Sequence, residues 1–243
     1  MTKRIAVLLL LNLLVVIVAA QSKEFWQAKD YKQWTEKECK KLLENSPWAS
    51  DYTLKQSRIT PLQGGNIETR AAQNWTVGYR VHFRSAAPIR QAMARQQMLA
   101  EKYDQLPPEK KQSFDERIGK FLATSFADTV LVHVTYNSNL PDLDREMARY
   151  WQTQTTENLK NTTFLIGSAG QRIPLLRFVV ATGAGREFQL AFPRQLNGQP
   201  IVGEKDKTIK VEFLHPKLAG EPETRVLLNF SLDKMLANNA LVF

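Results

Sequence analysis

The sequence predicts an α+β fold, with helices packed on an antiparallel sheet and a β-rich C-terminal half. Three observations lead there. Trp75, Val77, Tyr79, Val81 and Phe83 alternate with Thr76, Gly78, Arg80, His82 and Arg84, the period of a strand with one buried and one wet face. Between residues 85 and 151, apolar residues recur at spacings of three and four, and prolines frame each run. Beyond about Thr163, seven of the eleven glycines punctuate short apolar stretches, the texture of antiparallel strands joined by tight turns.

The first element is an address. Lys3 and Arg4 precede an apolar run from Ile5 to Val18, and Val18 and Ala20 supply small residues before Gln21. This pattern reads as a cleaved signal peptide over residues 1–20. The competing reading is an uncleaved anchor, but the run is shorter than the roughly 20 residues that span a bilayer. Cleavage after Ala20 sends the remaining 223 residues to the periplasm or outside the cell, and a membrane enters only if the segment stays attached. Residues 21–52 then form an aromatic-rich helical lead-in, 53–160 an α+β region and 161–243 an antiparallel β-rich region that can share one domain with it.

Within the lead-in, Thr35 and Glu38 make a capping box, each side chain serving an otherwise unpaired backbone N–H. Cys39, Leu42 and Leu43 share one face of the helix that follows, and Asn45-Ser46-Pro47 ends it. Tyr52–Ile59 reads as a strand, Thr60 to about Asn74 as a loop around Gly64-Gly65, and Trp75–Arg84 as the clearest strand. Pro88 suits the first turn of a helix that runs to about Tyr103. Leu106-Pro107-Pro108 breaks the chain before a second helix striped by Phe114, Ile118, Phe121 and Leu122. Thr129–Tyr136 is strand-like. A third helix starts near Pro141 with Leu143, Met147, Tyr150 and Trp151 on one face and acidic residues in its first turn, where the helix dipole favours them. Thr163–Gly167, Ile173–Thr182, Glu187–Pro193, Thr208–Leu214 and Thr224–Leu232 read as strands of a meander or half-sandwich, their short connections forcing antiparallel neighbours. The apolar tail Leu241-Val242-Phe243 should dock.

Composition bounds the function. With 43% hydrophobic residues and five tryptophans the chain can bury a core, and a single cysteine leaves packing alone to hold it. The formal charge of +9 falls to +7 with the loss of Lys3 and Arg4. Such a balance attracts anionic partners, but the basic residues are scattered rather than clustered, and export argues against nucleic acid. His82, His133 and His215 lack the local spacing of a metal site, and Cys39 stands alone. Asp142-Leu143-Asp144-Arg145-Glu146 lacks the glycine of a calcium loop. Gly183-Ala184-Gly185 has no following helix and so cradles no phosphate. No nucleophile elbow, cofactor motif or metal set emerges, and no catalytic residue is assigned.

The binding candidates are two groups. Arg80, His82 and Arg84 form a short cationic row able to meet a phosphate, carboxylate or acidic sugar, against the plainer reading of a polar strand face. Trp26 and Trp48 belong to the aromatic lead-in, which either docks on the body or leaves rings exposed as a platform. Docking is favoured, since Trp34 stands just before the cap and can staple to the helix.

The run Trp34-Thr35-Glu36-Lys37-Glu38-Cys39-Lys40-Lys41-Leu42-Leu43, then Ser46-Pro47-Trp48-Ala49, resembles the N-terminal segment of a group of uncharacterised secreted proteins from Acidobacteria-type bacteria. Phe83–Arg90 and the stretch from Phe230 to Met235 are similar as well. The resemblance covers most of the mature chain in separate patches. It implies a shared fold and an exported life, carries no known activity, and supplies no site.

The sequence therefore points to an exported, non-enzymatic envelope or secreted protein without a cofactor, binding an envelope component or anionic ligand. The alternative is a hydrolase-like enzyme whose site is assembled from distant residues. Whether His82, His133 and a carboxylate converge in a pocket separates the two.

Overall fold

In the computed structural model, described over residues 24–61, 70–180, 185–203, 205–217, 223–237 and 240–243 and as backbone alone over 57–61, 70–73 and 237, the alternating segment is the axis of the fold. The expected signal segment, the Gly64-Gly65 loop and most of the Gly183-Ala184-Gly185 turn lie outside the described residues. Strand β2 (Arg70–Phe83) pairs with β1 (Ala49–Pro61) on one side and β3 (Thr129–Ser138) on the other, all antiparallel. Its odd-numbered residues from Trp75 to Phe83 are all buried. The β1–β2 ladder is longer than expected, since it includes Thr60, Pro61 and Arg70–Asn74. Arg70-Ala71-Ala72-Gln73 has no period-two apolar pattern to announce a strand.

Two further strands complete this sheet. β7 (Glu187–Pro193) pairs with β3, and β6 (Arg177–Val180) with β7, giving the order β1-β2-β3-β7-β6. β8 (Gln195–Leu196) and β9 (Gln199–Pro200) pair as a small ribbon, and the second sheet has the order β11-β10-β4-β5, from Thr224–Ser231, Thr208–His215, Phe164–Ile166 and Arg172–Pro174. The expected single strand Ile173–Thr182 is thus two, β5 in one sheet and β6 in the other, with Leu175 and Leu176 between them. The expectation of adjacent neighbours fails here because a short connection fixes distance, whereas burial of each apolar face decides which sheet a strand joins. The first sheet takes strands from both sides of residue 161, and one core cluster runs from Trp26 to Phe243.

That core lies between the two sheets. Phe83 meets Phe230 edge to face at 4.9 Å, Tyr79 meets Phe213 at 5.2 Å, and Trp75 stacks on His215 at 5.7 Å. His215, expected in a loop, is the last residue of β10 and is buried. Its Nδ1 shares a 2.6 Å hydrogen bond with the Tyr79 hydroxyl. Burial pushes the tyrosine well above its usual range and the imidazole down to about 4.

The helices follow the expected order. α1 (Phe25–Ala28) is a single turn, and α2 (Glu36–Glu44) begins at the Thr35–Glu38 capping box with both reciprocal bonds formed. α3 (Ala87–Ala100) carries proline in its first turn and packs with α4 (Pro108–Ala123) through Ala94, Met98, Phe114 and Ile118. α5 (Pro141–Thr153) turns Leu143, Met147 and Trp151 into the main core, where Trp151 lies 4.2 Å from Phe188. A short α6 (Thr156–Leu159) follows. Among the described residues no helix is long and apolar enough to cross a membrane.

Candidate functional site

The lead-in tryptophans are core, so they do not form the site. Trp48 is fully buried, sits edge to face with Trp26 at 5.5 Å and donates its indole N–H to the Val242 carbonyl. Trp34 is 1% exposed and Trp26 9%. Phe243 packs on Phe83 at 6.0 Å beneath the Arg194 guanidinium, so the tail docks through its last two residues while Leu241 stays exposed. Cys39 is buried on the inner face of α2, and burial lifts its thiol to about 11, far from a reactive thiolate.

The cationic row does not assemble as the alternation suggested. His82 lies on the even-numbered face of β2 yet is only 7% exposed, because its cross-strand neighbours shelter it: buried Ala49 on β1 and His133 on β3. The two imidazoles touch, with centroids 4.8 Å apart, and His133 Nε2 stands 3.0 Å from a Glu187 carboxylate oxygen. Burial, helped by His133, Arg84 and Arg80, holds His82 down to about 3. Burial also outweighs Glu187 and lowers His133. Both rings are therefore neutral at neutral pH. His82 Nε2 and His133 Nδ1 are buried without a hydrogen-bond partner.

Arg80 is likewise not a free cation. Its Nε and Nη2 donate to the two Asp51 oxygens at 2.9 and 3.0 Å, and Nη1 donates to Glu44 at 2.9 Å. The Asp51 bonds, with both carboxylate charges, raise its pKa further. Arg84 sits one residue past the end of β2, half-buried, and takes part in no ion pair among the described residues.

What the fold does build is a polar groove of about 590 Å³ over the outer face of β1, β2 and β3, a volume in the usual range of ligand sites. Register makes it. Thr53, Gly78 and Asn137 stand in one row across three strands, and Asp51, Arg80 and Thr135 in the next. Gly78 is the floor: a Cβ there would come 2.9 Å from Asn137 Oδ1. Glycine in the interior of a strand weakens it and marks places where something approaches the backbone closely. One end is closed by Asn139, whose Oδ1 accepts from Thr76 N at 2.8 Å and whose Nδ2 donates to Asn74 O. Asp144 at the start of α5 holds the neighbouring Ser138 N–H at 2.7 Å and pairs with Arg186 at 2.5 Å. The groove walls are fixed from outside the sheet.

Of the sequence candidates only Arg80 lines this groove. Thr53, Thr76, Gly78, Thr135 and Asn137 were not singled out, because Thr and Asn on the wet face of a strand look ordinary one strand at a time. Gly78, the missing side chain in an otherwise polar alternation, was the available signal.

His82, His133 and a carboxylate do converge, but under cover and outside the groove lining. Asp51 and Glu187 occupy one row on β1 and β7, three strand spacings apart. That is roughly 14 Å at about 4.8 Å per strand, beyond the roughly 5–9.5 Å at which paired carboxylates cleave glycosides. Among the described residues no three His, Cys, Asp or Glu side chains group as metal ligands.

No family model matches this chain, and no curated protein matches it in sequence. Among solved structures, a DUF4426 family protein from Pseudomonas aeruginosa PAO1 is similar at 15% identity and a TM-score of 0.29, over 72% of this chain and 93% of that one. A likeness this slight transfers neither fold nor function.

Proposed function

We propose that this protein is an exported, non-enzymatic binding protein whose ligand or envelope partner is held in the groove over β1, β2 and β3. The observation that carries the reading is Gly78: an interior strand position without a side chain between Thr53 and Asn137, with the Asn137 carboxamide beside it, on the face of the sheet opposite the buried Trp75, Val77, Tyr79, Val81 and Phe83. Glycine there costs roughly 0.5–1 kcal/mol of stability relative to alanine, and the room it gives the Asn137 carboxamide and a ligand beside it is the compensation. The export half of the proposal rests on the segment Lys3–Ala20. An anionic ligand draws no support from Arg80 or His82, since Asp51 and Glu44 already hold Arg80 and burial keeps His82 uncharged.

The test compares the full protein with Gly78→Val for saturable retention on the insoluble cell-envelope fraction of its own host. Valine suits a strand, and the only close contact, Asn137 Oδ1, is the far end of a flexible side chain. Thermal unfolding of the variant should match or exceed that of the parent. Retention by the parent and its loss in Gly78→Val is the expected result. Equal retention of the two proteins removes the groove from the binding function.

A further inference from the structure

We infer that the groove takes a neutral, polyhydroxylated ligand, a short run of uncharged saccharide residues; this rests on the groove being the binding site. Among the lining residues an anion finds no unspent cation, because Arg80 already donates to two carboxylates and the three groups together carry one negative charge. A cation meets the same guanidinium at the rim. A hydrocarbon chain finds little surface to cover, since the rings of Tyr52, Tyr79 and Tyr136 share one row on the core side of the sheet and the remaining lining is Thr, Asn, Ser, Asp, Gly and Arg80. An extended peptide has no ladder to join: β2 is an interior strand whose backbone is paired on both sides.

What remains unpaired is neutral and two-sided. Among the described residues, the side chains of Thr53, Thr76, Thr135 and Asn137 have no hydrogen-bond partner within the protein, although they stand close together in adjacent rows. A threonine hydroxyl both donates and accepts, as does a sugar hydroxyl. The Asn137 carboxamide presents a donor and an acceptor side by side, matched to two neighbouring hydroxyls. Asp51 is half exposed and keeps lone pairs beyond those Arg80 uses, so the ion pair serves as an oriented acceptor rather than as a charge. The Arg80–Asp51 pair and Asn139 fix the rims, so a ligand orders little of the protein on arrival.

Titration calorimetry on the full protein tests this with maltotriose, cellotriose and tri-N-acetylchitotriose as neutral probes. Inorganic phosphate and trigalacturonate serve as anionic probes, triglucosamine as the cationic one and tetra-alanine as the peptide. At least one neutral trisaccharide should bind saturably. Asn137→Leu and Thr135→Val should each weaken it by roughly tenfold, Gly78→Val should abolish it, and Arg84→Ser, outside the groove, should leave it unchanged. Circular dichroism of each variant separates lost binding from lost folding. If a charged or peptide probe binds instead, with the same dependence on Gly78, the saccharide class is wrong and the groove stands. Failure of every neutral probe at millimolar concentration also overturns the class. Saturable binding of a neutral probe that ignores all three groove substitutions overturns both the class and the site.

Discussion

Acid should unfold this protein through its buried imidazoles, and His82 allows the effect to be isolated. In the folded chain its pKa lies at about 3, held down by burial first and then by His133, Arg84 and Arg80. In the unfolded chain it returns to about 6.5. The folded value is the depressed one, so below pH 6.5 the unfolded state binds a proton that the folded state refuses. The contribution of neutral His82 is complete above about pH 6.5 and drains away as pH falls towards about 3. Between pH 7.5 and pH 5 the loss is about 2 kcal/mol, and by pH 4 about 3 kcal/mol.

His82→Leu removes this titration without removing a made bond, because Nε2 has no partner to lose. Urea unfolding of both proteins at pH 7.5, 6.5 and 5 gives the difference of differences. His215, depressed to about 4, and His133 act in the same direction, but they remain in both proteins and largely cancel. The expected result is equal or greater stability of the variant at pH 7.5 and a parent that falls about 2 kcal/mol further by pH 5. Parallel pH curves would refute the reasoning: His82 would then be reached by water, and its shelter between Ala49 and His133 would be wrong.

Other expectations follow from the same packing. Val81→Asp, at a fully buried site between the sheets, should cost several kcal/mol, whereas Arg80→Ser, a partly exposed ion pair, should cost at most about 1 kcal/mol; urea midpoints compare them. Arg172→Met should destabilise by about 3 kcal/mol, because Glu212, with its side chain 5% exposed, keeps only the longer 3.5 Å contact to Arg225; adding Glu212→Leu should restore much of the loss. Iodide should barely quench the fluorescence of the intact protein, since no tryptophan exceeds 9% exposure, and deletion of residues 21–50 should lower the melting temperature sharply by removing Trp34, Leu42 and Trp48 from the core. Mass spectrometry of the protein from its own host should find an N-terminus at Gln21, and a predominance of full-length chain in membranes would favour the anchor instead.

How much of this was legible in the sequence depended on how local each cause is. The α2 cap is complete within four residues, Thr35 to Glu38, and could be read outright. The inner face of β2 is a two-residue period, equally local. Sheet membership is not local: Glu187–Pro193 has the same alternation whether it joins β3 or a C-terminal neighbour, and only the shared core decides. The burial of His82 was hidden for a related reason, since alternation assigns a side chain to a face but not the neighbours that stand beside it. The groove drew on three strands, with Thr53, Gly78 and Asn137 brought into one row by register alone. Its residues are polar and unremarkable until that register is known.

The passage from β5 to β6 through Leu175 and Leu176 also bears on the order of events during folding. The β1–β2 and β10–β11 hairpins join segments close in the chain and can form early. The β3–β7 ladder cannot, because it pairs Thr129 with Pro193, and such distant pairings are slow to form. Until β7 arrives, β3 is an open edge that carries Val130, Val132 and Val134, the kind of exposed strand that recruits other chains. A nascent chain emerging from the ribosome thus holds the three groove strands well before it can close the sheet behind them. Its period of greatest risk for aggregation lies between the synthesis of Ser138 and that of Pro193.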